Sequence, residues 1–132
     1  PMRIEHVAYM MSDPPAAAKW YCEHLGTRVA RCMDKPPYTQ FLADSGGNVM
    51  LEIYTNSEAK SADVPEYRDW DPLLLHVAFS STDIEADRAR LVDAGATADG
   101  DIAVTPAGDR LAMLRDPWGF CVQLVQRADP ML

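Results

Sequence analysis

Apolar and polar positions along the chain fall into short alternating runs and two longer stretches with helical spacing, and the order of these segments occurs twice. The residues up to Met11 are rich in Val, Ile and aromatics and read as a strand; the pair Ser12-Asp13 that follows can cap a helix. That helix is predicted over about Pro14 to His24, with prolines suited to a first turn and Gly26 placed to end it in a left-handed conformation. Three strand-like runs come next, Thr27 to Met33, Tyr38 to Ala43 and Asn48 to Tyr54. After a polar interval the pattern restarts. A strand leads into Thr82-Asp83, a helix runs over about Ile84 to Ala94 and stops at Gly95, and strand-like runs occupy Thr97 to Thr105, Arg110 to Arg115 and Phe120 to Gln126.

The restart is literal at two places. His6-Val-Ala-Tyr-Met-Met-Ser-Asp13 matches His76-Val-Ala-Phe-Ser-Ser-Thr-Asp83 at an offset of 70 residues, about half the chain. The turns Asp44-Ser-Gly-Gly-Asn48 and Asp116-Pro-Trp-Gly-Phe120 stand at equivalent places before the last strand of each copy. The architecture expected is therefore α+β, two tandem βαβββ modules, about 1–55 and 72–132, joined by a linker of about 56–71. Thr55 to Asp71 is polar and too long for a tight turn; a short helix within it, and a part in a site wall, are both open. Tyr67 and Trp70 there either line a pocket or pack the loop down.

Composition narrows the function. At 132 residues and 48% apolar, the chain can bury a core as one domain without staples. A net charge of −8 argues against nucleic acid and anionic membranes, which call for a basic patch, and favours a small-molecule partner. No apolar stretch approaches the roughly 18 to 20 residues that cross a bilayer, and the charged opening with Arg3 and Glu5 is unlike a signal peptide, so a cytoplasmic protein is expected. Cys22, Cys32 and Cys121 show no C-x-x-C spacing and read as reduced core thiols. Pro1 can be imagined as a secondary-amine base, but no other residue supports that role.

Candidate chemistry lies on the strands. Side chains alternate across a strand, so His6 and His76, repeated at the same place, face the same side in both copies. His6 shares its face with Ile4 and Ala8, and Glu5 and Val7 point the other way; the matching set is Leu74, His76 and Ala78. Each imidazole is either a satisfied core histidine or a ligand, and two at symmetric places favour ligands, because a polar group buried twice needs a partner each time. Glu52 sits in the apolar run Val49-Met-Leu-Glu-Ile-Tyr54 and needs a cation, an arginine such as Arg28 or Arg115 or a metal. The second copy places Gln123 at the corresponding point, with a one-residue offset that the Gly46-Gly47 turn can absorb. Two imidazoles, a carboxylate and an amide oxygen suit a first-row divalent ion. Arg28, Arg31, Arg110 and Arg115 are either solvated or able to grip an anion. Trp20 and Tyr21 read as core on the first helix, and Trp118 belongs to a turn.

Taken together, the paired strand histidines, the Glu of the fourth strand and Asp116-Pro-Trp-Gly119 resemble the glyoxalase, bleomycin-resistance protein and extradiol dioxygenase group, the vicinal oxygen chelate superfamily, over essentially the whole chain. The resemblance implies a single domain, 1–132, whose two modules form a curved mixed sheet around a cleft, with metal ligands from the first and fourth strands: His6, Glu52, His76 and Gln123. It also implies a homodimer, a bound Zn, Ni, Fe or Mn ion, and a small-molecule substrate. The pattern is most similar to lactoylglutathione lyase-like enzymes, lyases or isomerases that act on a small carbonyl compound or its thiol conjugate, with Glu52 as catalytic base. One departure is plain: metal-dependent members usually place Glu where this chain has Gln123, and Gln cannot accept a proton. The same departure disfavours an extradiol dioxygenase, which wants a carboxylate from the last strand. A metal-free drug-binding protein of the bleomycin-resistance type is the alternative; a charge of −8 suits a cationic ligand, but the retained histidines count against it.

Overall fold

The computed structural model describes residues 1–55 and 64–132. Its contacts divide the chain into two compact units, Pro1–Pro65 and Glu66–Leu132, each an α+β layer of one helix on one mixed sheet.

In the first unit β1 (His6–Met10) leads into α1 (Pro14–Leu25), followed by β2 (Arg28–Cys32), β3 (Gln40–Ala43) and β4 (Met50–Tyr54). The helix begins where the sequence says it should: the Asp13 carboxylate accepts from the Ala16 N–H at 3.2 Å, prolines fill the first turn, and Gly26 closes it at φ +73°. The sheet order is β1-β4-β3-β2, with β1 parallel to β4 and the remaining pairs antiparallel. Tyr9, Ile53 and Gln40 lie in one row across three strands, and the Tyr9 hydroxyl donates to that of Tyr21 on α1, so this row faces the helix. Burial of Tyr9, Tyr21, Leu42 and Ile53 makes the unit's core, at roughly 1.5–3 kcal/mol for each fully buried large apolar side chain. Trp20 and Tyr21 are core residues, as their spacing predicts.

The second unit repeats the plan with β5 (Val77–Ser80), α2 (Ile84–Asp93), β6 (Thr97–Ala98), β7 (Ala103–Val104), β8 (Arg110–Arg115) and β9 (Cys121–Gln126). The Asp83 carboxylate caps α2 through the Ala86 N–H, again at 3.2 Å. The sheet order is β5-β9-β8-β6, with β7 also pairing β8. The single strand expected over Thr97 to Thr105 is thus two short ones. Gly100, at φ +84°, and the Asp99 and Asp101 that flank it bend the chain away from the ladder between them.

Part of the expected linker, residues 56–63, lies outside the described residues. Its later part belongs to the second unit: a 3-10 turn at Tyr67–Asp69 packs down with Tyr67 edge-on to Phe120 at 5.0 Å and to Trp70 at 5.3 Å. Arg115 locks this segment in place. Its guanidinium donates to the carbonyls of Tyr67 and Trp70, each at 2.8 Å, and to Asp99 at 3.0 Å. Gly119 is required beside it, because at φ +93° a Cβ there would lie 2.6 Å from Arg68 Cγ. All three cysteines are free, but only Cys121 is a buried thiol; Cys22 is half-buried and Cys32 is exposed, since edge strand β2 is solvent-facing along its whole length. Among the described residues no helix is long and apolar enough to cross a membrane.

Candidate functional site

The ladder registers settle how the two copies correspond. In the first unit Ala8 of β1 lies opposite Glu52 of β4, which lies opposite Phe41 of β3. In the second, Ala78 of β5 lies opposite Gln123 of β9, which lies opposite Met113 of β8. Glu52 and Gln123 are therefore structural counterparts, and the one-residue offset between them is absorbed in the turn before the last strand. Their row in the first unit is the one next to the helix-facing row, so His6, Ala8 and Glu52 share the helix-free face of the sheet.

On that face His6 and Glu52 meet. The His6 Nε2 atom is 3.0 Å from Glu52 Oε2, with His6 at 37% and Glu52 at 22% side-chain exposure. The ring of Phe41 packs edge-on against the imidazole at 5.7 Å. Neither arginine considered for Glu52 is its partner: Arg115 is engaged with Asp99 and backbone carbonyls, and Arg28 lies on β2, separated from β4 by β3.

The other ring nitrogen carries a surprise relative to strand alternation. Glu5 was expected to point away from His6, yet its Oε1 lies 2.9 Å from His6 Nδ1. Residue 5 precedes β1, which is an edge strand, so no neighbouring strand stops the long side chain from folding back alongside the imidazole. His6 thus stands between two carboxylates. Both contacts are hydrogen bonds only if the ring carries both protons. A neutral ring protonated on Nδ1 turns a lone pair toward Glu52, and a cation seated between them then satisfies both groups.

His76 follows the same logic with a different acceptor. It stands one residue ahead of β5, half-buried, and its Nδ1 is 2.8 Å from the Pro72 carbonyl oxygen. A carbonyl can only accept, so Nδ1 is the donor and the neutral ring keeps its lone pair on Nε2. Metal-binding histidines are oriented in this way, by a carboxylate or carbonyl on the nitrogen that faces away from the ion. Sequence reasoning found the two imidazoles and missed both orienting groups. Adjacency of Glu5 to His6 was the available signal for the first; a backbone carbonyl has none.

Gln123 lies in a fully buried stretch of β9 and is 9% exposed; no side chain among the described residues hydrogen-bonds its amide. Below it on the same strand, burial pushes the Cys121 thiol above its ordinary range, with Arg115 pulling it down and Asp99 and Asp116 pushing it up.

The donor chemistry fits a divalent ion. Bonds of about 2.0–2.2 Å to imidazole nitrogen and carboxylate oxygen, at angles of about 90° to 109°, set the two donor atoms roughly 2.8–3.5 Å apart, and the His6–Glu52 separation of 3.0 Å lies inside that window. Among the described residues no three His, Cys, Asp or Glu side chains gather tightly enough to hold an ion by themselves.

Comparison with known proteins agrees with the repeat. The family model described as Glyoxalase/Bleomycin resistance protein/Dioxygenase superfamily matches residues 3–124. Among solved structures, a glyoxalase family protein from Bacillus cereus aligns with TM-score 0.77 at 16% identity, covering 96% of this chain and 94% of that one. TnmS3, an antibiotic binding protein from Streptomyces sp. CB03234, aligns with TM-score 0.71 at 24% identity, covering 97% and 98%. A glyoxalase-related enzyme from Fulvimarina pelagi aligns with TM-score 0.70 at 16% identity, covering 96% and 89%. These likenesses show the fold. No curated protein matches the chain.

Proposed function

Because the chain belongs to the glyoxalase/bleomycin resistance protein/dioxygenase superfamily, we propose that it is a divalent-metal enzyme of the glyoxalase kind, with His6, Glu52, His76 and Gln123 as donors and a small carbonyl compound or its thiol conjugate as substrate. The observation that carries this reading is the orientation of the imidazoles: Glu5 and the Pro72 carbonyl hold the Nδ1 atoms, which turns the His6 Nε2 toward Glu52 and keeps the His76 Nε2 as an acceptor. Zn²⁺, Ni²⁺, Fe²⁺ or Mn²⁺ suits the mixed N/O set, and its chemistry is that of a Lewis acid on a carbonyl oxygen.

The protein's own residues divide the remaining work unequally. Glu52 is the one carboxylate of the four donors and the base able to take a proton from the carbon next to a carbonyl. Partial burial on the sheet face limits its hydration and sharpens its interaction with a bound cation. Gln123 offers an amide oxygen and cannot shuttle a proton, so proton transfer runs through one carboxylate, with Glu5 positioning His6. Domain organisation follows the same reading, with both repeats serving one functional domain.

A second reading has its own support. The face around Glu52 also carries Phe41, Ala8 and Met50, a surface able to take an apolar ligand, and TnmS3 is by its title an antibiotic binding protein. Metal analysis separates the two. Protein purified without chelators is expected to hold a divalent ion that the His76→Ala variant loses, and the loaded protein should wash deuterium from D₂O into the carbon beside the ketone in the hemithioacetals that 2-oxoaldehydes form with thiols. Equal metal content in the two proteins would sink the enzymatic reading.

A further inference from the structure

A groove of 660 Å³ opens in the first unit between α1 and the β2–β3 hairpin. Neither His6 nor Glu52 lines it, and Glu52 occupies the sheet face opposite α1. One wall is a stripe of α1, Pro15, Ala18 and Cys22; the other is Val29, Cys32 and Met33. Ligand pockets for drug-sized molecules run from about 300 to 1,000 Å³ and combine apolar walls with a few placed polar groups. Most of the polar groups here favour a positive charge. Gln40 is 7% exposed, its Nε2 donates to the Tyr38 carbonyl at 3.2 Å, and its Oε1 has no donor among the described residues, leaving an acceptor at the groove. Glu23, whose Oε2 is also 3.7 Å from His24 Nε2, and Asp34 add two carboxylates against the single ammonium of Lys19. Tyr38 adds an aromatic ring. It is held at φ +57°, a left-handed conformation that bulky residues rarely adopt, with its N–H donating to the Lys35 carbonyl at 2.8 Å.

We propose that this groove is a binding site for an amphipathic organic cation, its apolar body between α1 and β2 and its positive charge near Tyr38, Glu23 and Asp34. An aromatic face and carboxylates attract a cation, an amide oxygen accepts from its N–H groups, and the chain's net charge of −8 raises the local concentration of cations. An anion of the same shape meets two carboxylates and one ammonium and is rejected.

Calorimetric titration with tetraphenylphosphonium, with isosteric tetraphenylborate as the opposite-charge control, tests this directly. Maleimide alkylation of Cys32, followed by peptide mapping, reports whether the bound probe sits in the groove, because that thiol is exposed and lines it. The expected result is saturable one-to-one binding of the phosphonium, at least about tenfold tighter than the borate and at least about tenfold weaker in the double variant Glu23→Lys/Asp34→Lys. Cys32 alkylation should slow several-fold at saturating phosphonium. Absent binding, equal binding of the borate, undiminished binding by the double variant, or unprotected Cys32 would each overturn the proposal. Should the double variant fail to fold, protection of Cys32 in the unaltered chain decides it.

Discussion

The two units share a frame and differ in what that frame carries. Both open a strand at or beside a histidine, cap a helix with aspartate and bring back a parallel last strand. On that last strand the first unit presents Glu52, already paired with His6, and the second presents Gln123, whose amide no described side chain engages. A second asymmetry stands just before the turn aspartates: the first unit has Ala43 where the second has Arg115, which ties down the segment of Tyr67 and Trp70. Two similar scaffolds therefore carry different side chains, the His6–Glu52 pair on the first and the Arg115 anchor on the second. The comparison teaches that the repeat keeps its frame, with the histidines and capping aspartates, while the residue at the centre of the last strand differs.

The largest expected effect breaks the anchoring half of that comparison. Arg115→Ala strands the Tyr67 and Trp70 carbonyls and the Asp99 carboxylate around a vacated guanidinium, and unfolding by urea should show a loss of about 3 kcal/mol. A loss below about 1 kcal/mol would mean that the segment holds itself. Exchanging the last-strand residues comes next. Gln123→Glu should tighten divalent-ion binding about tenfold and Glu52→Gln should weaken it by a similar factor, read by calorimetry; the opposite order would remove the functional asymmetry. The helix caps provide an internal standard, because Asp13→Ala and Asp83→Ala remove the same bond at the same 3.2 Å and should each cost about 1 kcal/mol.

The smallest effect is a pH dependence confined to the second unit. Burial raises the Cys121 thiol, so the folded chain keeps a proton that the unfolded chain releases. Stability from this source is complete below the unfolded thiol's pKa and is lost as pH rises toward the raised folded value. Cys121→Ala should flatten the alkaline limb of a stability–pH curve and leave the acid limb unchanged.

Much of this was legible in the chain because repetition supplies its own comparison. The caps at Asp13 and Asp83, the stops at Gly26 and Gly95, and the equivalence of Glu52 with Gln123 all follow from aligning one half on the other. What escaped depends on edges and backbone. Strand alternation points Glu5 away from His6, but it describes a strand flanked by neighbours, and at the open edge of β1 the long side chain reaches back to the imidazole. The Pro72 carbonyl leaves no trace in residue type, and the break at Gly100 is a matter of φ that a run of plausible strand residues conceals. Residue preference places Cys32 in the core, whereas its position on exposed β2 decides otherwise.

The most direct test of the central claim is a Co²⁺ titration of the metal-free protein, followed by visible absorption, for the unaltered chain and for His6→Ala and His76→Ala. The proposed donor set predicts a d–d band that saturates at one ion per chain and is lost in either variant. A band that survives His76→Ala unchanged would contradict the account, because the ion would then belong to His6 and Glu52 alone.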